Sequence, residues 1–241
     1  MLSCVEVGGS GVETVTFADD GTIVRVDGAH RAPGSSLAIA TPGLVEGTRV
    51  IAASNLGWFD VDPANALGIG PGPADLVIND AAAAALGELA LRDLADDMVF
   101  VTLGTGVGGA AVRDGVVVAT NLFGHAPGYS DMACVCGRVG CLETIAAGWA
   151  LPAPRGEAEV DRVARAVAKA VHRERRAANA HVVVGGGIAR AYPEIVARIA
   201  AALPARDVEP SAAPHGFKSA AAWGLRAALA RQPLDDRRTR A

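Results

Sequence analysis

The chain has 241 residues, 51% of them hydrophobic and 20% charged, with a formal net charge of −4. That composition excludes a disordered chain and a protein that holds nucleic acid mainly by charge. Aromatic residues make up 4%, so Ala, Val, Leu and Ile must build the core.

Residues 2–7 read as a strand, Gly8-Gly9-Ser10-Gly11 as a turn, and 12–17 as a second strand. Asp19-Asp20-Gly21 then turns into a third, 22–26. A short strand over 37–40 ends at Thr41-Pro42-Gly43. Another over 76–78 runs into Asn79-Asp80 and a helix over 81–94. Residues 98–103 repeat the opening plan: a strand, the glycine turn Gly104-Thr105-Gly106-Val107-Gly108-Gly109, a strand over 110–112, an Asp114-Gly115 turn and a strand over 116–119. Two copies of one unit imply two similar lobes. Val160, Val163, Val167 and Val171 mark one face of a helix over 157–178. A buried strand over 181–184 meets Gly185-Gly186-Gly187. Tyr192, Ile195, Val196, Ile199 and Leu203 mark a further helix, 218–230 is the last, and 232–241 is a flexible tail. Strands alternating with helices give an α/β fold.

The only lysines are Lys169 and Lys218, so a Walker P-loop is excluded from the first two-thirds. The N-terminus has no basic leader, and no run of about 18 uncharged apolar residues spans a membrane. A cytoplasmic protein with neither nucleic-acid nor membrane partners is expected. Glycine turns let backbone N–H groups face an anion, so two on matching scaffolds could grip a polyphosphate. The second is followed by strand rather than helix, which excludes a dinucleotide fingerprint. Glu6, at the end of the first strand, is either a surface carboxylate or a holder of Mg²⁺ beside phosphate. Asp80 is either an ordinary helix N-cap or a general base. His125, Cys134, Cys136 and Cys141, with Gly137 and Gly140 forcing a tight knuckle, form a Cys₃His set suited to closed, structural zinc. They do not fit the zinc deaminase signature.

These motifs, in this order, resemble the ROK family of sugar kinases and regulators. Glu6-Val7-Gly8-Gly9-Ser10 stands at D-x-G-G-T, and Asn79-Asp80-Ala81-Ala82 at N-D-x-N. Gly104–Gly109 stands at the second phosphate motif, and Gly124-His125 with Cys134–Glu143 at the zinc signature. Gly185-Gly186-Gly187-Ile188 stands at the adenosine-side segment. The resemblance implies a two-lobed actin-like (ribonuclease-H-like) fold with a structural zinc knuckle. One lobe would take residues 1–96 and be completed by a returning helix over 218–231; the other would take 97–217. It implies ATP-dependent phosphorylation of a sugar or sugar-like polyol. Asp80 would be the base; Asn79, His125 and Glu143 would hold other hydroxyls. Gly8, Gly9, Ser10, Gly104, Thr105 and Gly106 would cradle phosphates, Gly185, Gly186 and Gly187 would flank adenosine, and Glu6 would lie by Mg²⁺. The donor is ATP or polyphosphate. Family members often pair as dimers, but no interface is legible in the sequence.

The sequence departs from the family at Glu6, for Asp; at Gly11, for Lys or Asn; at Ala82, for Asn; and at Leu122, for a sugar-binding Glu. Losing the hydrogen bond at 122 would weaken a standard sugar about 10- to 150-fold. This points to a deoxysugar, aminosugar or cyclitol, or alternatively to a non-catalytic sugar-sensing or scaffolding protein. The absence of a preceding helix-turn-helix argues against a repressor. The segments after Val26 and after Glu143 are both shorter than in the family.

Overall fold

The computed structural model describes residues 1–70, 72–94, 97–151, 156–174, 177, 179–204 and 206–232. The expected tail, from 233 onward, lies outside them. The first unit is β1 (Leu2–Gly8), β2 (Gly11–Phe17) and β3 (Ile23–Asp27), joined as antiparallel hairpins. Then come β4 (Ser36–Thr41), a small antiparallel sheet of β5 (Leu44–Glu46), β6 (Arg49–Ala53) and β7 (Trp58–Val61), and the single-turn helix α1 (Pro63–Ala66). β8 (Leu76–Asn79) leads into α2 (Asp80–Arg92).

The second unit opens with β9 (Met98–Leu103), β10 (Val107–Arg113) and β11 (Val116–Ala119), again antiparallel. It continues through α3 (Glu143–Ala146), α4 (Glu157–Arg173), β12 (His181–Gly185), α5 (Gly187–Ala191), α6 (Glu194–Ala202) and β13 (Val208–Pro210), and α7 (Ala221–Arg231) closes the order. The two large sheets run β3-β2-β1-β4-β8 and β11-β10-β9-β12-β13. In each, a meander of three strands is followed by two parallel additions. The internal echo read in the sequence is therefore an echo of topology.

α2 and α7 lie between the sheets. Ala83 packs with Ala221, Ala222 and Leu225 against Cys4, Val15 and Ala38 of the first sheet. Ala81, Ala82, Ala85 and Leu89 pack against Met98, Phe100 and Val112 of the second. The two helices cross with backbones in contact. A Cβ on Gly87 would lie 1.8 Å from the Ala220 carbonyl oxygen, and one on Gly224 would lie 1.8 Å from that of Ala83. Only glycine permits that approach.

The outer faces differ. On the second sheet Val160, Val163, Val167 and Val171 of α4 are buried with Ile195 and Ile199 of α6. On the first, Val5, Val7, Leu37 and Ile39 pack against Leu56, Trp58, Ala64, Leu67 and Ile69 of the β5–β7 and α1 region, with Ala29 and Ala74 beside them. Residues 28–35, between β3 and β4, contain no helix.

Several boundaries move from their sequence-based positions. β10 is longer than 110–112 because its ladder uses backbone groups, and Gly108 and Gly109 pair with Thr102 and Val101. α4 stops at Arg173, where Glu174 turns extended, short of the expected 178. The last helix begins at Ala221 because the Ser219 hydroxyl accepts the Ala221 N–H and holds residues 218–220 outside it. β5–β7 and β13 carry too few alternating residues to stand out in the sequence.

Candidate active site

The candidate groups gather where parallel strands end. Glu6, Ala40 and Ile78 are in register across β1, β4 and β8, so Gly8 and Asn79-Asp80 leave the first sheet at the same edge. In the second sheet Thr102 is in register with Gly185, so Gly104–Gly106 and Gly186-Gly187 also leave at one edge. Open α/β sheets bind ligands at this carboxyl edge. The two edges meet: a Cβ on Gly9 would lie 3.1 Å from the Thr105 methyl. Gly9-Ser10 is a two-residue hairpin between paired Gly8 and Gly11. Gly104–Gly106 links paired Leu103 and Val107.

Asp80 is not the helix cap. Asn79 is: its Oδ1 accepts the N–H groups of Ala81 at 3.1 Å and Ala82 at 3.2 Å, while its Nδ2 donates to the Gly43 carbonyl at 3.2 Å. Asp80 is the first helical residue, half-buried, with Oδ1 accepting its neighbour's N–H at 2.8 Å. Burial pushes its carboxyl up to about 6, against the opposing pull of the Ala81 N–H.

Burial also pushes Glu6 up to about 7; the Ser219 hydroxyl and Lys218 oppose this, while Asp80 and Glu13 add to it. Ser219 donates to Glu6 Oε2 at 2.9 Å. Glu13 is paired directly with Glu6 across β1 and β2. It is buried and accepts Arg25 Nε at 2.5 Å and the Lys218 N–H at 3.1 Å. Ser219, Glu13 and Lys218 were missed in the sequence. Lys218 had one signal, as one of only two lysines.

Glu143 is buried at the start of α3, and its Oε1 accepts the Val107 N–H at 2.9 Å. Its Oε2 lies 3.8 Å from His125 Nδ1. It therefore ties the second glycine turn to the cysteine loop. Ligand atoms of His125, Cys134, Cys136 and Cys141 all lie within 4.8 Å of one another. Cys134 Sγ is 3.7 Å from His125 Nδ1, and Cys136 Sγ is 3.7 Å from Cys141 Sγ. A tetrahedron with zinc–thiolate arms of about 2.3 Å has edges of about 3.8 Å, so the donors and their spacing fit zinc. Gly137 and Gly140 take positive φ in this loop.

A cavity of about 640 Å³ opens beside Gly185 and Gly186 and is also lined by Arg25, Arg190, Phe217 and Lys218. Gly187 begins α5 just beyond. Leu122 packs against the second sheet's core, and Ala82 is buried between the sheets. Beside them Asn121 Nδ2 donates to the Gly43 carbonyl at 3.4 Å, the acceptor that Asn79 also uses.

A model of the ROK family matches residues 21–202. The chain belongs to the ROK family. It is similar to the N-acetylmannosamine kinase of Salmonella newport (strain SL254), with 40% identity over 129 residues, 49% of this chain and 44% of that one. The match thus spans less than half the length of such relatives. Its fold is that of a ROK family glucokinase from Streptomyces griseus in complex with glucose and AMPPNP, at TM-score 0.67 and 20% identity over 95% of this chain and 98% of that one. The ROK hexokinase from Thermus thermophilus has TM-score 0.63 and 23% identity over 93% and 96% of the two chains. Among the described residues of this ROK protein, no helix is long and apolar enough to cross a membrane.

Proposed function

We propose that the protein is an ATP-dependent kinase for a sugar or sugar-like polyol, with Asp80 as its general base. The observation that carries this reading is the placement of Asp80. Asn79 takes over the capping of α2, and Asp80 stands half-buried beside Glu6 at the edge where the two glycine turns meet. A base works best with a pKa near the working pH, and Asp80 is held at about 6.

In the proposed reaction Asp80 takes the proton of the acceptor hydroxyl. That oxygen bonds to the γ-phosphorus, the bond from phosphorus to the β–γ bridging oxygen breaks, and ADP leaves with the electron pair. Asn79 keeps a second N–H for a sugar hydroxyl, and His125 and Glu143 hold others. Gly8, Gly9, Ser10, Gly104, Thr105 and Gly106 cradle the phosphates by backbone N–H groups. Adenosine takes the cavity beside Gly185–Gly187. Glu6 and Asp80 repel each other, a repulsion that a divalent cation relieves, so Glu6 is the residue to hold Mg²⁺ or its waters. Bound Mg²⁺ supplies neutralisation of phosphate charge. Zinc on His125, Cys134, Cys136 and Cys141 would fix the loop that presents His125 and Glu143. The lobes in this reading are residues 1–96 with 218–231, and 97–217.

Leu122 and Ala82 offer a substrate no polar atom, which favours an acceptor with fewer or altered hydroxyls. The N-acetylmannosamine kinase relatives put aminosugars first among candidates. The same two residues favour the second reading, a ROK protein that binds sugar without phosphorylating it. ATP consumption against hexoses, aminosugars and cyclitols, repeated with polyphosphate as donor, separates the two. Turnover with at least one acceptor is expected. Sugar binding without turnover by either donor selects the second reading.

A further inference from the structure

Among the described residues, the amine of Lys218 is buried and has no hydrogen-bond partner. An ammonium without an acceptor in a protein interior is costly, and such groups normally find one. The rest of the residue is firmly placed: its N–H donates to buried Glu13 at 3.1 Å, and the next residue's hydroxyl donates to Glu6. The chain is thus pinned to β1 and β2, and the side chain runs toward the first glycine turn. A Cβ on Gly11 would lie 3.6 Å from Lys218 Nζ, so the amine sits at contact distance from that turn. Lys218 also lines the cavity beside Gly185 and Gly186. It therefore stands between that cavity and the Gly8–Gly11 turn. Glu6 is its carboxylate neighbour, yet Glu6 takes its hydrogen bond from Ser219 instead.

We propose that Lys218 is a phosphate-binding residue that supplies the unused N–H donors of its ammonium to the donor's phosphate chain at the first glycine turn. A lysine binds phosphate as a point charge with three donors. The inference rests on the kinase reading for the identity of the donor, but its chemistry is that of a phosphate chain, whether ATP or inorganic tripolyphosphate.

Calorimetric titration of the full chain with ATP and with tripolyphosphate tests it. Lys218→Met is expected to weaken both about 10- to 100-fold, the worth of a hydrogen bond to a charged group. A second measurement needs no substitution. Labelling with ¹⁵N-lysine gives two amine signals, and tripolyphosphate is expected to move that of Lys218 and leave that of Lys169. Unchanged affinity in a Lys218→Met protein that melts like wild type overturns the inference, as does an unmoved Lys218 signal. Failure of wild type to bind either ligand overturns it as well. Lys218-dependent binding without turnover on any sugar supports it while overturning the kinase reading.

Discussion

Asp80 carries two linked consequences. Asp80→Asn keeps the shape and removes the base, so turnover should fall about 100- to 10,000-fold with sugar affinity little changed; steady-state rates and sugar binding check this. The carboxyl accepts a proton only when ionised, so kcat/KM for wild type should fall as pH drops through about 6. The effect on stability has the opposite direction. Asp80 and Glu6 sit at about 6 and 7 when folded, above ordinary carboxylate values near 4. Between about 4 and 7 the folded state binds more protons than the unfolded state, so stability falls as pH rises through that window. Protein without added Mg²⁺ should resist denaturant better at pH 5 than at pH 8, and Asp80→Asn should flatten that slope. An unchanged slope would place Asp80 in water rather than in a desolvated cleft. At this scale the sequence was ambiguous: an Asp that opens a helix reads as a cap, and only the placement of Asn79 releases it.

Two local constructions hold the site in place. The crossing of α2 and α7 depends on Gly87 and Gly224, so Gly224→Val, which drives a side chain into the Ala83 carbonyl, should destabilise the protein by about 1–3 kcal/mol. Urea unfolding measures it, and a neutral result would mean the helices can part freely. The cysteine loop depends on its four ligands. Metal analysis should find one zinc per chain, and Cys136→Ala should release it and lower the melting temperature; intact protein without metal contradicts the zinc assignment. The loop was legible because three cysteines, a histidine and two glycines sit within a short span, where few structures suit them. α4 was equally legible from its valine stripe, now buried. β5–β7 were not: three short strands with exposed faces leave almost no apolar period, and their role in covering β1 and β4 depends on residues far away in sequence.

The whole molecule is one plan used twice and then specialised. The repeat of strand, glycine turn and strand showed in the sequence because each copy must build the same hairpin. The meeting of the copies did not, since it is set by α2 and α7 packing between both sheets, and those helices carry residues too small and uniform to name a partner. The result brings two glycine turns, Glu6, Asp80 and Lys218 to one edge, with a cavity beside them. In the proposed reaction a phosphoryl group crosses that edge to an alcohol. ³¹P NMR of the protein with ATP, Mg²⁺ and the sugars of the panel follows that group directly. A new phosphate monoester on a sugar, appearing in step with ADP, is the predicted result; unchanged ATP, or ADP with free inorganic phosphate alone, would contradict it.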